Sequence, residues 1–179
     1  MKHLLLIITL LLSTASFAQF IAKDEIDKFT DDRKIQINAT KGDATWGTSD
    51  SFTKNIFRGG LYLSSHITVT PNKEIYSHIN INVQTSYMVC FGQNKIIALF
   101  ENGDKVTLNQ VSKIDCGNNV NVMYDISDKD INIFKNLKLK EIRLYTADGY
   151  LDFVVKDNMK KVIQGTFELT ANKLQEIQQ

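Results

Sequence analysis

Only two cysteines, Cys90 and Cys116, occur in the 179 residues, and they form no Cys-x-x-Cys, which excludes a redox-active pair of that kind. Beyond residue 18 the only histidines are His66 and His78, and there is no Gly-x-Ser-x-Gly, His-Glu-x-x-His or phosphate-cradling glycine loop. Nucleophilic, zinc-hydrolytic and nucleotide chemistry thus lack a motif, no cofactor is implied, and the sequence argues against an enzyme. Paired carboxylates for glycoside hydrolysis stay open, because they can lie far apart in the chain. Net charge is missing as well. Without the first 18 residues, and so without Lys2, 20 basic residues stand against 20 acidic ones. Nucleic acid and anionic lipid both demand a basic face, so the balance argues against them as main partners. After residue 18 no apolar run is long enough to span a membrane. No repeat, low-complexity tract or linker divides the chain, which predicts one domain over residues 19–179.

The start of the chain reads as an export signal. Met1-Lys2-His3 is a short basic region, Leu4 to Leu12 is apolar apart from Thr9, and Ser16-Phe17-Ala18 ends in a small residue before Gln19. About nine apolar positions are too few to cross a bilayer, and small residues at −3 and −1 suit signal peptidase. Residues 1–18 are therefore expected to be a signal peptide, and the protein to be periplasmic or extracellular. No cysteine lies near the cleavage site, which argues against a lipid anchor. In an exported chain the even cysteine count predicts a Cys90–Cys116 disulfide. It would close a loop of about 26 residues, worth roughly 3 kcal/mol in the chain-entropy view. The alternative is two buried free thiols.

Three hairpins organise the rest. In the central one, Ile96-Ile97-Ala98-Leu99-Phe100 and Lys105-Val106-Thr107-Leu108 flank Asn102-Gly103, a type I′ signal. That turn sets Leu99 against Val106 and Ile97 against Leu108. Ile96, Ala98 and Phe100 take the opposite face, so the first strand is expected to be buried on both sides. In the hairpin before it, a turn centred on Asn72 sets Leu61, Leu63, Ser65, Ile67 and Val69 against Val83, Ile81, Ile79, Ser77 and Ile75. The other face then pairs Tyr62 with Asn82, Ser64 with Asn80, His66 with His78 and Thr68 with Tyr76, the mark of a half-buried antiparallel pair. In the third hairpin Asp148-Gly149 sets Ile142, Leu144 and Thr146 against Val155, Phe153 and Leu151, with Tyr145 opposite Asp152.

Lys34–Asn38 alternates like a further strand, Lys23–Asp32 reads as a helical turn or ordered lead-in, and Asp115–Asn119 reads as a turn before a strand over Val120–Ile126. Trp46 is expected in a loop, as a core plug rather than a stacking platform. Ser127 is a good N-cap for a short helix bearing Ile131 and Phe134. Asp157 can cap a long one whose stripe, Met159, Val162, Ile163, Phe167, Thr170, Leu174 and Ile177, leaves Lys173 to solvent. The expected fold is mainly β: about eight antiparallel strands in a sandwich or curled sheet, with a short helix and a C-terminal helix packed on the sheet. A partly closed, lipocalin-like barrel is the alternative.

Asp27-Lys28-Phe29-Thr30, Ile97-Ala98-Leu99-Phe100-Glu101-Asn102-Gly103 and Ile142-Arg143-Leu144-Tyr145-Thr146-Ala147-Asp148-Gly149-Tyr150 together resemble a group of small exported domains of Bacteroidota-type bacteria. The resemblance covers most of the chain beyond residue 18. It implies an exported, strand-rich domain closed by a C-terminal helix. The group carries no assigned activity, so it transfers no functional residue.

Two constellations remain as candidate sites. His66 and His78, opposite each other on a solvent-facing sheet surface, supply two corners of a Zn²⁺ or Cu²⁺ site. The third ligand would have to come from Ser64, Asn80, Thr68, Tyr76 or the more distant Glu74, so the expectation is an incidental pair without metal. Arg143, Tyr145 and Asp152 form a polar and aromatic cluster on one hairpin face, suited to a protein or glycan partner or simply solvated. The function expected from these features is a non-catalytic exported binding or structural module acting on a protein, glycan or envelope component. A small apolar-ligand carrier is the second reading and a hydrolase the third.

Overall fold

The computed structural model describes residues 20–38, 47–48, 57–92 and 94–179, so the expected signal peptide and Trp46 lie outside the described residues. Among those residues alternation produces ten strands. They are β1 (Phe20–Ile26), β2 (Arg33–Asn38), β3 (Gly47–Thr48), β4 (Phe57–Val69), β5 (Ile75–Phe91), β6 (Lys95–Phe100), β7 (Lys105–Asn109), β8 (Asp115–Asp125), β9 (Leu139–Thr146) and β10 (Gly149–Val154). Helix α1 (Asp128–Asn136) follows β8, and α2 (Asp157–Gln178) ends the chain. The strands form two antiparallel sheets, A in the order β1-β2-β4-β5-β8 and B in the order β3-β10-β9-β6-β7. A bridge between Gln110 and Tyr124 hooks the end of β7 to β8, so the sheets meet along one side. Among the described residues no closed barrel forms, and the sandwich or curled-sheet expectation stands.

The inner faces of both sheets share one core. Ile35, Leu61, Ile67, Ile79 and Val83 of sheet A and Ile96, Ala98, Ile142, Leu144 and Phe153 of sheet B are all buried. Ser127 caps α1, its hydroxyl accepting from the Asp130 backbone N–H, and Ile131 and Phe134 turn inward as their spacing requires. Helix α2 packs against α1 and against β2, β4 and β9. Its contact with α1 is a run of rings: Phe167 lies 4.6 Å from Phe134, which meets Phe100 of sheet B edge-on at 5.2 Å. The helix begins one residue earlier than its predicted cap. Lys156 is the N-cap, without a side-chain bond, and Asp157 sits in the first turn, where its charge suits the helix dipole. Lys173 is not left to solvent. It is buried, bonds Glu176 at 2.8 Å and approaches Asp24 of β1 at 3.5 Å.

The β4–β5 register is the expected one, Leu61 opposite Val83 through Val69 opposite Ile75, with His66 opposite His78. Its loop has the Thr70 N–H donating to the Glu74 carbonyl and the Lys73 N–H to the Thr70 carbonyl. The central hairpin closes in the same way, the Phe100 N–H donating to Asp104 and the Gly103 N–H to Phe100. It is thus a three-residue loop with Gly103 at φ 92 and Asn102 at negative φ, not a type I′ turn. The extra loop residue shifts the register by one, so Ala98 faces Val106 and Ile96 faces Leu108. The strand is accordingly buried on one side only: Ile96, Ala98 and Phe100 point to the core, while Ile97 and Leu99 are half-exposed.

The third hairpin turns at Ala147-Asp148 rather than Asp148-Gly149. Leu144 faces Leu151, Tyr145 faces Tyr150 and Arg143 faces Asp152, so Tyr145 is not opposite Asp152. This two-residue slip keeps every side chain on its expected face. Two further segments differ. Of Lys23–Asp32, the part up to Ile26 belongs to the edge strand β1, and a single turn follows at Asp27–Asp31, where the Asp31 N–H donates to the Asp27 carbonyl and Phe29 is 85% exposed. Asp115–Asn119 is strand rather than turn, because β8 runs on beside β5.

That extension brings the cysteines together. After an irregularity between Gln84 and Val89, Cys90 of β5 lies directly opposite Cys116 of β8 with Cα atoms 4.1 Å apart, and the two form a disulfide. The pair joins neighbouring strands of sheet A.

Candidate functional site

The register of sheet B decides which side chains gather on its outer face. Three antiparallel ladders place Ile97 beside Arg143, Arg143 beside Asp152, Leu99 beside Glu141 and Lys105, and Tyr145 beside Tyr150. Arg143 binds Asp152 with two parallel bonds, Nε to Oδ1 and Nη2 to Oδ2, each 2.7 Å. The Asp152 side chain is only 11% exposed, so this is a fixed pair rather than a mobile surface one. The bonded carboxylate raises the Arg143 guanidinium further above its ordinary value. The other side of the guanidinium stacks over Tyr150 at 3.9 Å from the ring centre. Tyr145 stands 6.2 Å from Tyr150 and carries the Lys95 ammonium 5.3 Å from its own ring centre.

Beside this cluster is an open hollow of about 220 Å³ lined by Ile97, Leu99, Lys105, Glu141, Arg143 and Asp152. Tyr150 and Val154 are 49% and 40% exposed at its margin. The predicted patch of Arg143, Tyr145 and Asp152 is thus gathered on one face. Ile97, Leu99 and Tyr150, which sequence reasoning did not include, complete it. The signal for Ile97 and Leu99 was the apolar excess on both faces of β6. The core uses only one of those faces.

The histidine pair lies on the outer face of sheet A, in a row running Gln36, His66, His78, Asp125 across β2, β4, β5 and β8. His66 Nε2 shares a 2.9 Å hydrogen bond with Ser64 Oγ. Burial, the neighbouring His78 and then Lys23 push the His66 ring down to about 4. Burial also lowers His78, against the opposing pull of Asp125. Both rings are therefore neutral near pH 7. A ring with so low a value is a weak general base for the Ser64 hydroxyl it touches. Among the described residues the buried Nδ1 of His78 has no hydrogen-bond partner, and no three His, Cys, Asp or Glu side chains come together as metal ligands would.

Comparison with protein-family models, with curated proteins and with solved structures finds no match for this chain.

Proposed function

We propose that this chain is a non-catalytic exported binding module, acting in the periplasm or outside the cell on a protein, glycan or other envelope component, and that the outer face of sheet B holds a protein partner. The observation that carries the reading is the half-exposed strip of Ile97 and Leu99, set between a locked Arg143–Asp152 pair and two tyrosines. Protein interfaces are enriched in this mixture of aromatic rings, arginine and apolar side chains, with charge kept to the rim. Preorganisation favours it too. Arg143 is held on two sides before any partner arrives, so little side-chain entropy remains to be lost on binding.

Export is supported by the disulfide, which persists in oxidising compartments, and by the character of residues 1–18. An apolar-ligand carrier would set its phenylalanines around a cavity, whereas Phe100 and Phe167 each pack against Phe134. A hydrolase would need a base better matched to neutral pH than His66.

Crosslinking the native protein in its own envelope fraction tests the reading. A discrete protein adduct is expected in wild type, and the double change Ile97→Asp and Leu99→Asp should abolish it while the melting temperature holds. An adduct unaffected by that change, with the fold intact, would refute the assignment to sheet B.

A further inference from the structure

Sheet A turns outward a face of quite different chemistry. Its rows read Asn38, Ser64, Asn80 and Met123, then Tyr62, Asn82 and Asn121, then Gln84 and Asn119. With Gln36 in the histidine row, that places seven carboxamides on three strands, five of them on the adjacent β5 and β8 and two on β2 beyond β4. The amides are already ordered. Asn82 Nδ2 donates to Asn119 Oδ1 at 2.8 Å and to Asn121 Oδ1 at 3.0 Å, and Gln36 Nε2 donates to Asn38 Oδ1 at 2.8 Å. Asn119 and Asn121 are exposed, and Asn80 and Asn82 are half-buried.

Charge is confined to the rim. Lys34 and Asp125 stand at one end, and on the edge strand β8 the Asp115 carboxylate accepts from the Asn121 backbone N–H at 3.0 Å. The depressed values of His66 and His78 keep those two rings uncharged near neutral pH, which leaves the charge of that row to Asp125 and Lys23 on the two edge strands. At the same end a hollow of about 310 Å³ opens beside Gln36, His66, Thr68 and Met123, with Lys23 and Lys34 at its edge.

A face of carboxamides suits a partner whose groups both donate and accept, since an amide carries two donors and an acceptor where a carboxylate only accepts and an ammonium only donates; Asn82 spends both N–H groups on Asn119 and Asn121, whose own N–H groups face the partner's acceptors. Sugar hydroxyls are such groups. A neutral glycan also forces no ion to be desolvated, on its own side or on the protein's. A protein partner would look for an apolar centre, and across β2, β4, β5 and β8 Met123 is the one large aliphatic side chain in these rows, with Phe20 of β1 at the margin beyond Asn38.

We infer that the outer face of sheet A is a binding platform for an uncharged polysaccharide, held by the carboxamides centred on Asn82 and Asn121. This face is separate from the sheet B patch, so the two assignments stand or fall independently.

Isothermal titration of the disulfide-bonded protein tests the inference, with cellohexaose, laminarihexaose and mannohexaose as neutral probes and hexagalacturonate as the charged one. Saturable binding of at least one neutral hexasaccharide is expected. The double change Asn82→Ala and Asn121→Ala should weaken it about tenfold or more, since several hydrogen bonds are lost together. Asn82→Asp, which keeps the side chain's shape, should weaken it too, and its melting temperature controls for folding. Tyr150→Ala on sheet B should leave it unchanged. Binding of none of the neutral probes, tighter binding of hexagalacturonate, or loss with Tyr150→Ala but not with the Asn82 and Asn121 changes would each overturn the inference.

Discussion

Phe167 offers the sharpest test of how the C-terminal helix is held. Its side chain is fully buried, and its ring sits 4.6 Å from Phe134, which in turn meets Phe100 of sheet B at 5.2 Å. Truncation to alanine removes the ring from water-free surroundings and leaves a gap that helix and sheet can close only in part. Such changes cost about 3–5 kcal/mol, of which roughly 1 kcal/mol reflects the ring–ring geometry itself. For a domain of this size each kcal/mol lowers the melting temperature by about 2–4 °C, so Phe167→Ala should melt roughly 6–20 °C below wild type. Lys161→Ala on the exposed side of the same helix should stay within about 0.5 kcal/mol. Urea unfolding followed by far-UV circular dichroism measures both. A Phe167→Ala cost no larger than that of Lys161→Ala would mean that α2 is not docked through this ring and that the core described here is wrong.

Reduction of Cys90–Cys116 releases a cross-link between residues 26 apart, so it should cost roughly 3 kcal/mol and lower the melting temperature without changing the strand content. Two free thiols in protein taken from an oxidising compartment would contradict that. His66 predicts a pH dependence. Its folded value, about 4, lies below its ordinary 6.5, so the unfolded chain takes up the proton first as pH falls. The stability this ring contributes is complete above pH 6.5 and is lost on acidification towards pH 4, by on the order of 2–3 kcal/mol in all. The groups facing it are His78, Lys23 and Ser64, with Asp125 beside His78. Unfolding free energies measured between pH 7 and 5 should therefore fall in wild type and flatten in His66→Gln. Equal slopes in the two proteins would show that the ring is not buried in its neutral form.

The parts of the fold legible in the sequence are those where side-chain alternation had only one solution. Along β4 and β5 a single register puts nearly every apolar residue on one face, and a one-residue slip would have turned Leu61, Leu63 and Ile67 outward. Along β6 the same logic fails, because Ile97 and Leu99 are as apolar as Ile96 and Ala98, and the choice passes to the turn. Asn102-Gly103 suits both a two-residue loop and a three-residue loop with glycine at positive φ, and the latter forms. In the third hairpin the slip is two residues, to which alternation is blind. Charge pairing held the missing information, since only the observed register sets Arg143 against Asp152. The β5–β8 ladder and the assembly of sheet B depend on contacts distant in the chain, which no local pattern encodes. The amide platform escaped notice for a related reason: its asparagines come from hairpins and strands that meet only in the folded sheet.

Site-specific photo-crosslinking tests the binding role most directly. A photoreactive residue placed at Leu99, half-exposed on sheet B, is compared in the intact envelope with one placed at Lys161, exposed on α2. The account predicts a discrete protein adduct from position 99, lost when Tyr150→Ala is added, and none from position 161. Adducts of equal yield from both positions, or none from position 99, would contradict it.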